Sequence, residues 1–440
     1  MVSSRTPDLP EPERCALLGA AATGGAGRVP RQRSDSRSTA ARLAAHRWVQ
    51  LLGCTVAGGW AAAFPLVSDQ PYQVLWGTLA APAYALAGLC CVLLPRRWAP
   101  RAAAAVALTG AVLLPLVLLA ATGRHQSEVM VVERAAHLLL HTGDPYLAAP
   151  VHAADYNPYL PVMAVFGLPR AVLGTGGVLA RLLGDARIWF ALTFLGCMFG
   201  SWRLLRAARD RAALLPLAVL TSSPLIALAL SVGGVDLPLI GVCCLAMALA
   251  ARERTLAAGL VLALACSLKW TAWPALPVAA LLIWRLYGRR PAARTAAVAL
   301  TAAGALVLPF AVTAGPRMRE QVVRFPLGLA AVRTPAGSPL PGRMLAELGP
   351  TGHLVSLVLL GLGGLVVACW LLAYPPASAI AACDLLAAGL TVAFVLAPAG
   401  RFGYLALPAV LALWPRLASR SVTGPPPRPA ARPVTGLVQV

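Results

Sequence analysis

The sequence predicts an all-α, polytopic integral membrane protein with about twelve spans, and three observations carry that prediction. The chain is 59% hydrophobic and 12% charged, with a mean hydropathy of +0.73 over 440 residues, well beyond what a water-soluble core needs. Its apolar residues fall into repeated runs of about 14–23 residues, the length that crosses roughly 30 Å of hydrocarbon as a helix. Its arginines gather at the ends of those runs, where topology signals sit.

Residues 1 to about 45 are rich in Arg, Pro, Ser and Ala and hold no sustained apolar run, which predicts a disordered basic tail. The first run begins near Trp48, too late for an ordinary signal peptide. Spans are expected near 48–66, 73–95, 103–122, 187–205, 213–233, 235–251, 255–268, 272–285, 294–313, 352–373, 377–397 and 402–416. Three of them (within 46–122) precede a loop at 123–186; others fill 187–313 and 352–416 on either side of an Arg-rich loop at 314–351. A second disordered tail follows from 417, with the Pro425-Pro426-Pro427 run. This count puts the basic N-tail, Arg96-Arg97, Arg203 to Arg211, Arg252 to Arg254, Arg285 to Arg294, and Arg416 with Arg420 on one side. By the positive-inside rule that side is the cytoplasm, with both termini there, and the loops 123–186 and 314–351 face outward from the cell membrane.

Tyr159 to Leu173 is apolar enough to tempt a further crossing. A crossing there would move Arg203 to Arg211 outside, and Pro158, Pro161 and Pro169 interrupt it, so a helix lying in the outer interface is expected. The spans 255–268 and 272–285 are short and meet at Lys269-Trp270-Thr271-Ala272-Trp273. Such a junction predicts a recessed outer surface with tryptophans at headgroup level.

Composition excludes two readings. The net charge is +21, but of the 37 basic residues only Lys269 is a lysine, and the bias accompanies Ala and Gly richness. It reads as the coding habit of a GC-rich genome, and no nucleic-acid partner is expected. Nine of the ten cysteines fall inside apolar runs with no CxxC pair, so they read as small hydrophobes rather than a disulfide framework.

Against this background the polar stretch Gly123 to Arg187 stands out. It carries Glu128, Glu133, Asp144, Asp155 and Asp185, five of the sixteen acids, and His125, His137, His141 and His152, four of the six histidines. Its first part reads as a helix from about Ser127 that stops at Gly143, a C-cap ahead of Pro145. Glu128 stands at the helix start beside a span, where the helix dipole favours an anion and a partly dry setting suits a carboxylate base.

An acid shortly after an early span, a helix running into Gly143-Asp144-Pro145-Tyr146, and then Tyr156-Asn157-Pro158-Tyr159-Leu160-Pro161 resemble glycosyltransferase family 87. These are polyprenol-phosphate-dependent mannosyltransferases of the GT-C superfamily. Looser matches are Gly234-Val235-Asp236, Ser267-Leu268-Lys269 and Ala397-Pro398 to Tyr404, so the likeness covers roughly residues 120–415. The chain departs from the family in two ways: Glu128 stands where the family has Asp, and two extra spans precede the core.

The resemblance implies a GT-C-type bundle with extracytoplasmic interfacial helices. It further implies inverting transfer of a sugar, with mannose the family's, from a polyprenyl-phosphate donor to a hydroxyl of a glycolipid or glycan acceptor. Glu128 is then the candidate base, with Glu133 in reserve. Lys269, Arg317, Arg319, Arg324, Arg333 and Arg401 are candidates for the donor phosphate, since guanidinium grips phosphate in bidentate fashion. Asp144, Tyr146, Tyr156, Tyr159, Asp236 and Tyr404 are the candidate substrate-binding residues. No metal or other cofactor is implied, and membrane lipids are the remaining partners.

The residues also leave plainer roles open. Glu128 fits a solvated helix start, Lys269 a snorkelling anchor beside Trp270 and Trp273, Asp144 a turn former, and the loop arginines a headgroup-binding surface. Asp384, inside an expected span, should face the bundle interior. Glu133, His137 and His141 share one helix face and would suit zinc. Outside catalysis, a transporter or lipid flippase, or a scaffold acting through its basic tail, fits the same membrane architecture.

Overall fold

In an apolar solvent a backbone must satisfy its hydrogen bonds internally, and the apolar runs accordingly form helices. The computed structural model describes residues 46–206 and 214–419. The expected tail 1–45, the C-terminal segment from 420, and residues 207–213 of the Arg203 to Arg211 loop lie outside them. Among the described residues there is no β-strand, only an isolated parallel bridge between Gly337 and Gly400.

The chain runs up and down. Helices α1 (Arg47–Val67) and α2 (Pro71–Leu93) form a hairpin, and α3 (Ala99–Thr122) follows. Helix α4 (Ser127–Thr142), a 3-10 segment Pro161–Gly167 continuing into α5 (Leu168–Leu173), and α6 (Val178–Gly184) lie at one end of the bundle. Next come α7 (Ala186–Leu205), α8 (Leu214–Thr221), α9 (Pro224–Val232), α10 (Asp236–Ala250), α11 (Thr255–Leu268), α12 (Ala275–Tyr287) and α13 (Arg289–Thr313). The 314–349 loop holds α14 (Gly315–Met318), a π-turn Arg319–Arg324 and α15 (Pro341–Ala346). Helices α16 (Pro350–Ala373), α17 (Ala379–Leu396) and α18 (Ala406–Ser419) complete the bundle.

Among the described residues eight helices are long and apolar enough to cross a membrane, or nine if a bent pair counts as one span. That pair lies where a span at 213–233 is expected. The axis turns by 68° between α8 and α9, where Ser222-Ser223-Pro224 removes a backbone donor and offers hydroxyls to the freed carbonyls. Tyr84 on α2 donates to the Ser222 carbonyl at 2.6 Å and anchors the break. The runs at 235–251, 255–268 and 272–285 form helices of 15, 14 and 13 residues. At 1.5 Å per residue they are about 20–22 Å long. The Tyr159 to Leu173 segment is a 3-10 turn over Pro161–Gly167 followed by the short α5, and its prolines accompany the tighter winding.

Helix α10 is the axis of the fold, with thirteen of its fifteen residues buried, whereas α1 and α16 lie at the periphery and present apolar faces. Lipid tails are as apolar as leucine, so packing here depends on close backbone approach through small residues. Gly110 on α3 shows the device: a Cβ there would overlap that of Ala83 on α2. The same stretch, Thr109–Leu113, widens to a π-turn. Its Ala111 carbonyl accepts from the buried Trp76 indole at 2.9 Å and from Ser231 Oγ at 3.4 Å.

The two ends of the bundle differ. At one, Arg47 donates to Val92 O, Arg252 to Leu204 O, and Arg416 on α18 clasps Asp384 on α17 through both carboxylate oxygens. Asp384 thus faces a neighbouring helix close to this end, where its span begins. The other end carries α4 to α6, the 314–349 loop and the candidate site.

Candidate functional site

Glu128 stands in the first turn of α4. The start of that helix is docked on the turn between α9 and α10, where the Gln126 N–H donates to Val232 O at 2.9 Å. Gly233 in that turn has φ 128°, and Val129 Cγ2 occupies the place a Cβ would take, so only glycine fits. Glu128 Oε1 accepts from Arg401 Nη1, and Oε2 accepts from Ser127 Oγ at 3.1 Å.

Arg401 comes from the segment joining α17 to α18. Its backbone is clamped by the 314–349 loop: Gly400 N–H donates to Ala336 O at 3.1 Å and Ser338 N–H to Gly400 O at 3.0 Å. Phe402 N–H donates to Ser338 Oγ at 3.2 Å. Burial opposes the charge on Arg401, but the Glu128 carboxylate outweighs it and the pKa rises.

A second ion pair lies beside the first. Asp236, in the first turn of α10, accepts from Lys269 Nζ at 2.6 Å, and Lys269 follows directly on α11. The ammonium lies 4.9 Å from the Tyr404 ring centroid and 5.8 Å from that of Tyr159. The Lys269 side chain is 12% exposed and turned inward, while Trp270 and Trp273 are the exposed residues of that junction. Snorkelling is therefore not its role. Burial pulls its pKa down, yet Asp236 above all, with Tyr404 and Glu128, raises it overall. Burial, then Glu128 and Asp236, hold the Tyr159 phenol well above its usual value, so it stays protonated.

Lys269 feels Glu128, and Tyr159 feels Glu128, Asp236 and Arg401, so the two pairs form one cluster. The fold brings together six predicted residues: Glu128, Tyr159, Asp236, Lys269, Arg401 and Tyr404. It adds Tyr72, at the start of α2, within electrostatic reach of Glu128 and Arg401. Nothing in the sequence links that tyrosine to the island, but its place at the outer edge of an apolar run is the available signal.

A second group holds the 123–186 and 314–349 loops together. Asp144 Oδ1 accepts from the Tyr146 N–H at 2.9 Å, the turn geometry expected before Pro145, and Oδ2 pairs with Arg317 at 2.8 Å. Tyr146 donates to Tyr159 O at 3.0 Å. Gln321 Oε1 accepts from the Asn157 N–H at 3.0 Å and its Nε2 donates to Leu147 O at 2.7 Å. Tyr156 stacks on Phe325 at 4.3 Å. These contacts make Asp144, Tyr146, Tyr156 and Arg317 a frame around Tyr159. Arg319 and Arg333 are exposed, and Arg324 pairs with Glu320 at 2.8 Å. None of these three is brought to the cluster.

Glu133 faces elsewhere. Oε2 accepts from Arg170 Nε at 3.2 Å and Oε1 from the Ala186 N–H at 3.1 Å, tying α4 to α5 and α7. Burial raises its pKa, against the pull of Arg170. Gly167 lets the 3-10 segment lie directly on α4, since a Cβ would overlap Val132 O. His137 and His141 stack on each other at 4.0 Å, and Glu133 is held away from them. Among the described residues no three His, Cys, Asp or Glu side chains gather as a metal site.

Chemically, the cluster offers two carboxylates at helix N-termini and two fixed cations, with protonated phenol beside them. No family model, curated protein or solved structure matches this chain.

Proposed function

We propose that the protein is a membrane glycosyltransferase of GT-C type, resembling family 87, that moves a sugar, mannose by that resemblance, from a polyprenyl phosphate to an acceptor hydroxyl. The eight long helices, the bent pair and the three short central helices then make twelve crossings, with both tails cytoplasmic and the cluster facing outward. The observation that supports this reading is the convergence of Glu128, Asp236, Lys269 and Arg401 with Tyr159 at one end of the bundle. A base and two cations for the lipid phosphate within one cluster are what the transfer requires.

In the step, Glu128 takes the acceptor hydroxyl proton as the oxygen bonds to the anomeric carbon. The bond from that carbon to the phosphate oxygen breaks on the opposite face, inverting the centre, and its electron pair leaves with the lipid phosphate. Lys269 and Arg401 stabilise the charge that develops there. Asp236 fixes the Lys269 ammonium, and the short α10, α11 and α12 recess the cluster toward the lipid-borne donor.

Radiolabelled polyprenyl-phosphate mannose supplied to membranes containing the protein tests the reading. Wild type transfers label, and Glu128→Gln loses at least about 100-fold of the rate, the scale of a general base. Equal rates would move the base elsewhere. No transfer by wild type from any polyprenyl-phosphate sugar would remove the assignment. The break between α8 and α9 favours a second reading, a transporter or flippase, because discontinuous helices with buried hydroxyls such as Thr221 and Ser222 line transport sites.

A further inference from the structure

Each carboxylate oxygen of Glu128 carries one donor, Arg401 on Oε1 and Ser127 on Oε2. The guanidinium therefore sits on the oxygen that an acceptor hydroxyl would have to approach. Arg401 by contrast has capacity to spare. Nη1 is given to Glu128, and its other N–H groups make no hydrogen bond among the described residues. Its backbone is fixed by the 336–338 clamp, while its side chain is 26% exposed, against 12% for Lys269, which two aromatic rings and Asp236 hold in place.

We infer that Arg401 is shared between Glu128 and the phosphate of the donor, so that donor binding uncovers the base and the reaction runs in a compulsory order, donor before acceptor. The inference rests on the transferase reading and adds to it a switch located at one side chain. A phosphate presents paired oxygens to the guanidinium fork and competes well with a single carboxylate contact. The exchange keeps the guanidinium paired and leaves Glu128, 17% exposed, as the uncovered carboxylate. Lys269 and Asp236 stay paired throughout, so the Lys269 ammonium holds its position beside the phosphate. An acceptor arriving first finds that carboxylate oxygen occupied by the guanidinium.

The test is binding of farnesyl phosphate, and of inorganic phosphate in parallel, to the full-length protein in nanodiscs, with transfer assayed on the same preparations. Removing the competing charge in Glu128→Gln should tighten binding by about fivefold, the value of a partly exposed ion pair. Glu128→Ala should do the same, and Arg401→Gln should weaken binding. Tightening with both probes assigns the exchange to phosphate alone; tightening with farnesyl phosphate only assigns it to the lipid-linked group. Wild type that transfers sugar while both Glu128 variants bind no tighter overturns the sharing and leaves the transferase standing. Wild type that neither binds nor transfers overturns both.

Discussion

Lys269 Nζ lies 2.6 Å from Asp236 Oδ1, and this one lysine of the chain is aimed into the bundle instead of out to the headgroups. The pair joins the end of α11 to the start of α10, so it fixes the cation at the cluster and the register of two central helices together.

Breaking it should therefore affect stability as well as activity. Lys269→Met leaves Asp236 without its cation, and Asp236→Asn does the converse. Each should cost about 2–4 kcal/mol, toward the lower side of the range for buried pairs because both side chains keep some exposure. The double variant should lose less than the two singles combined, by about 1–2 kcal/mol of coupling. Thermal unfolding in detergent measures all four proteins, and strict additivity would show that the pair is not coupled.

Arg187 makes a more severe case. Its guanidinium pairs with fully buried Asp185 at 2.6 Å and donates to Arg124 O and Ser231 O at 2.8 and 2.9 Å, closing the ends of α3 and α9. Arg187→Met strands a buried carboxylate and two carbonyls together, at a cost of about 3–5 kcal/mol. That is a large part of a typical domain's stability. The expected outcome is little monodisperse protein on size exclusion. Recovery at wild-type yield would mean that water or Arg170, already 4.0 Å from Asp185, replaces it.

The sequence made much of this legible residue by residue, but not as pairs. Glu128 announced itself as an acid after a span, and Arg401 as a basic turn residue, yet 273 positions separate them. Their meeting depends on α4 docking at Gly233 and on the 336–338 clamp, which are tertiary events. Helix positions followed from apolar runs almost throughout. The break at Ser222-Ser223-Pro224 was overridden by the apolar residues on either side of it. Arg319, Arg324 and Arg333 were placed in the right loop, but charge patterning carries no direction, and their side chains do not reach the cluster.

The loop that follows α4 should lose stability in acid. Asp155 accepts from the His152 and Val151 N–H groups at 2.8 and 3.1 Å, with Arg134 at 3.5 Å. The bond from His152 first, then those of Val151 and Arg134, hold its pKa below the ordinary 3.8. With the folded value depressed, the stabilisation is complete above 3.8 and fades as pH falls through the lower folded value. Asp155→Asn should therefore be less stable than wild type by about 1 kcal/mol at neutral pH, the worth of a capping side chain. The gap should narrow toward pH 3, followed by tryptophan fluorescence, and a gap constant across that range would assign it to shape instead of charge.

Gly233 gives the sharpest separation of fold from site. At φ 128° any L-side chain is strained, and Ala would also drive its Cβ into Val129 at the start of α4. The helix must shift to relieve that overlap, and Glu128, one residue before Val129, shifts with it, away from an Arg401 whose backbone is clamped independently. Gly233→Ala should cost about 1–3 kcal/mol in stability. On the proposed transferase reading, it should also lower transfer well beyond what that loss of folded protein explains. Gly403→Ala, where φ is ordinary and a Cβ meets open space, is the control and should match wild type in stability. Unfolding temperatures and transfer rates per folded molecule decide the matter. A Gly233→Ala protein with reduced stability but full activity would show that the cluster tolerates the shift, and that Glu128 is not held there by the docking of α4.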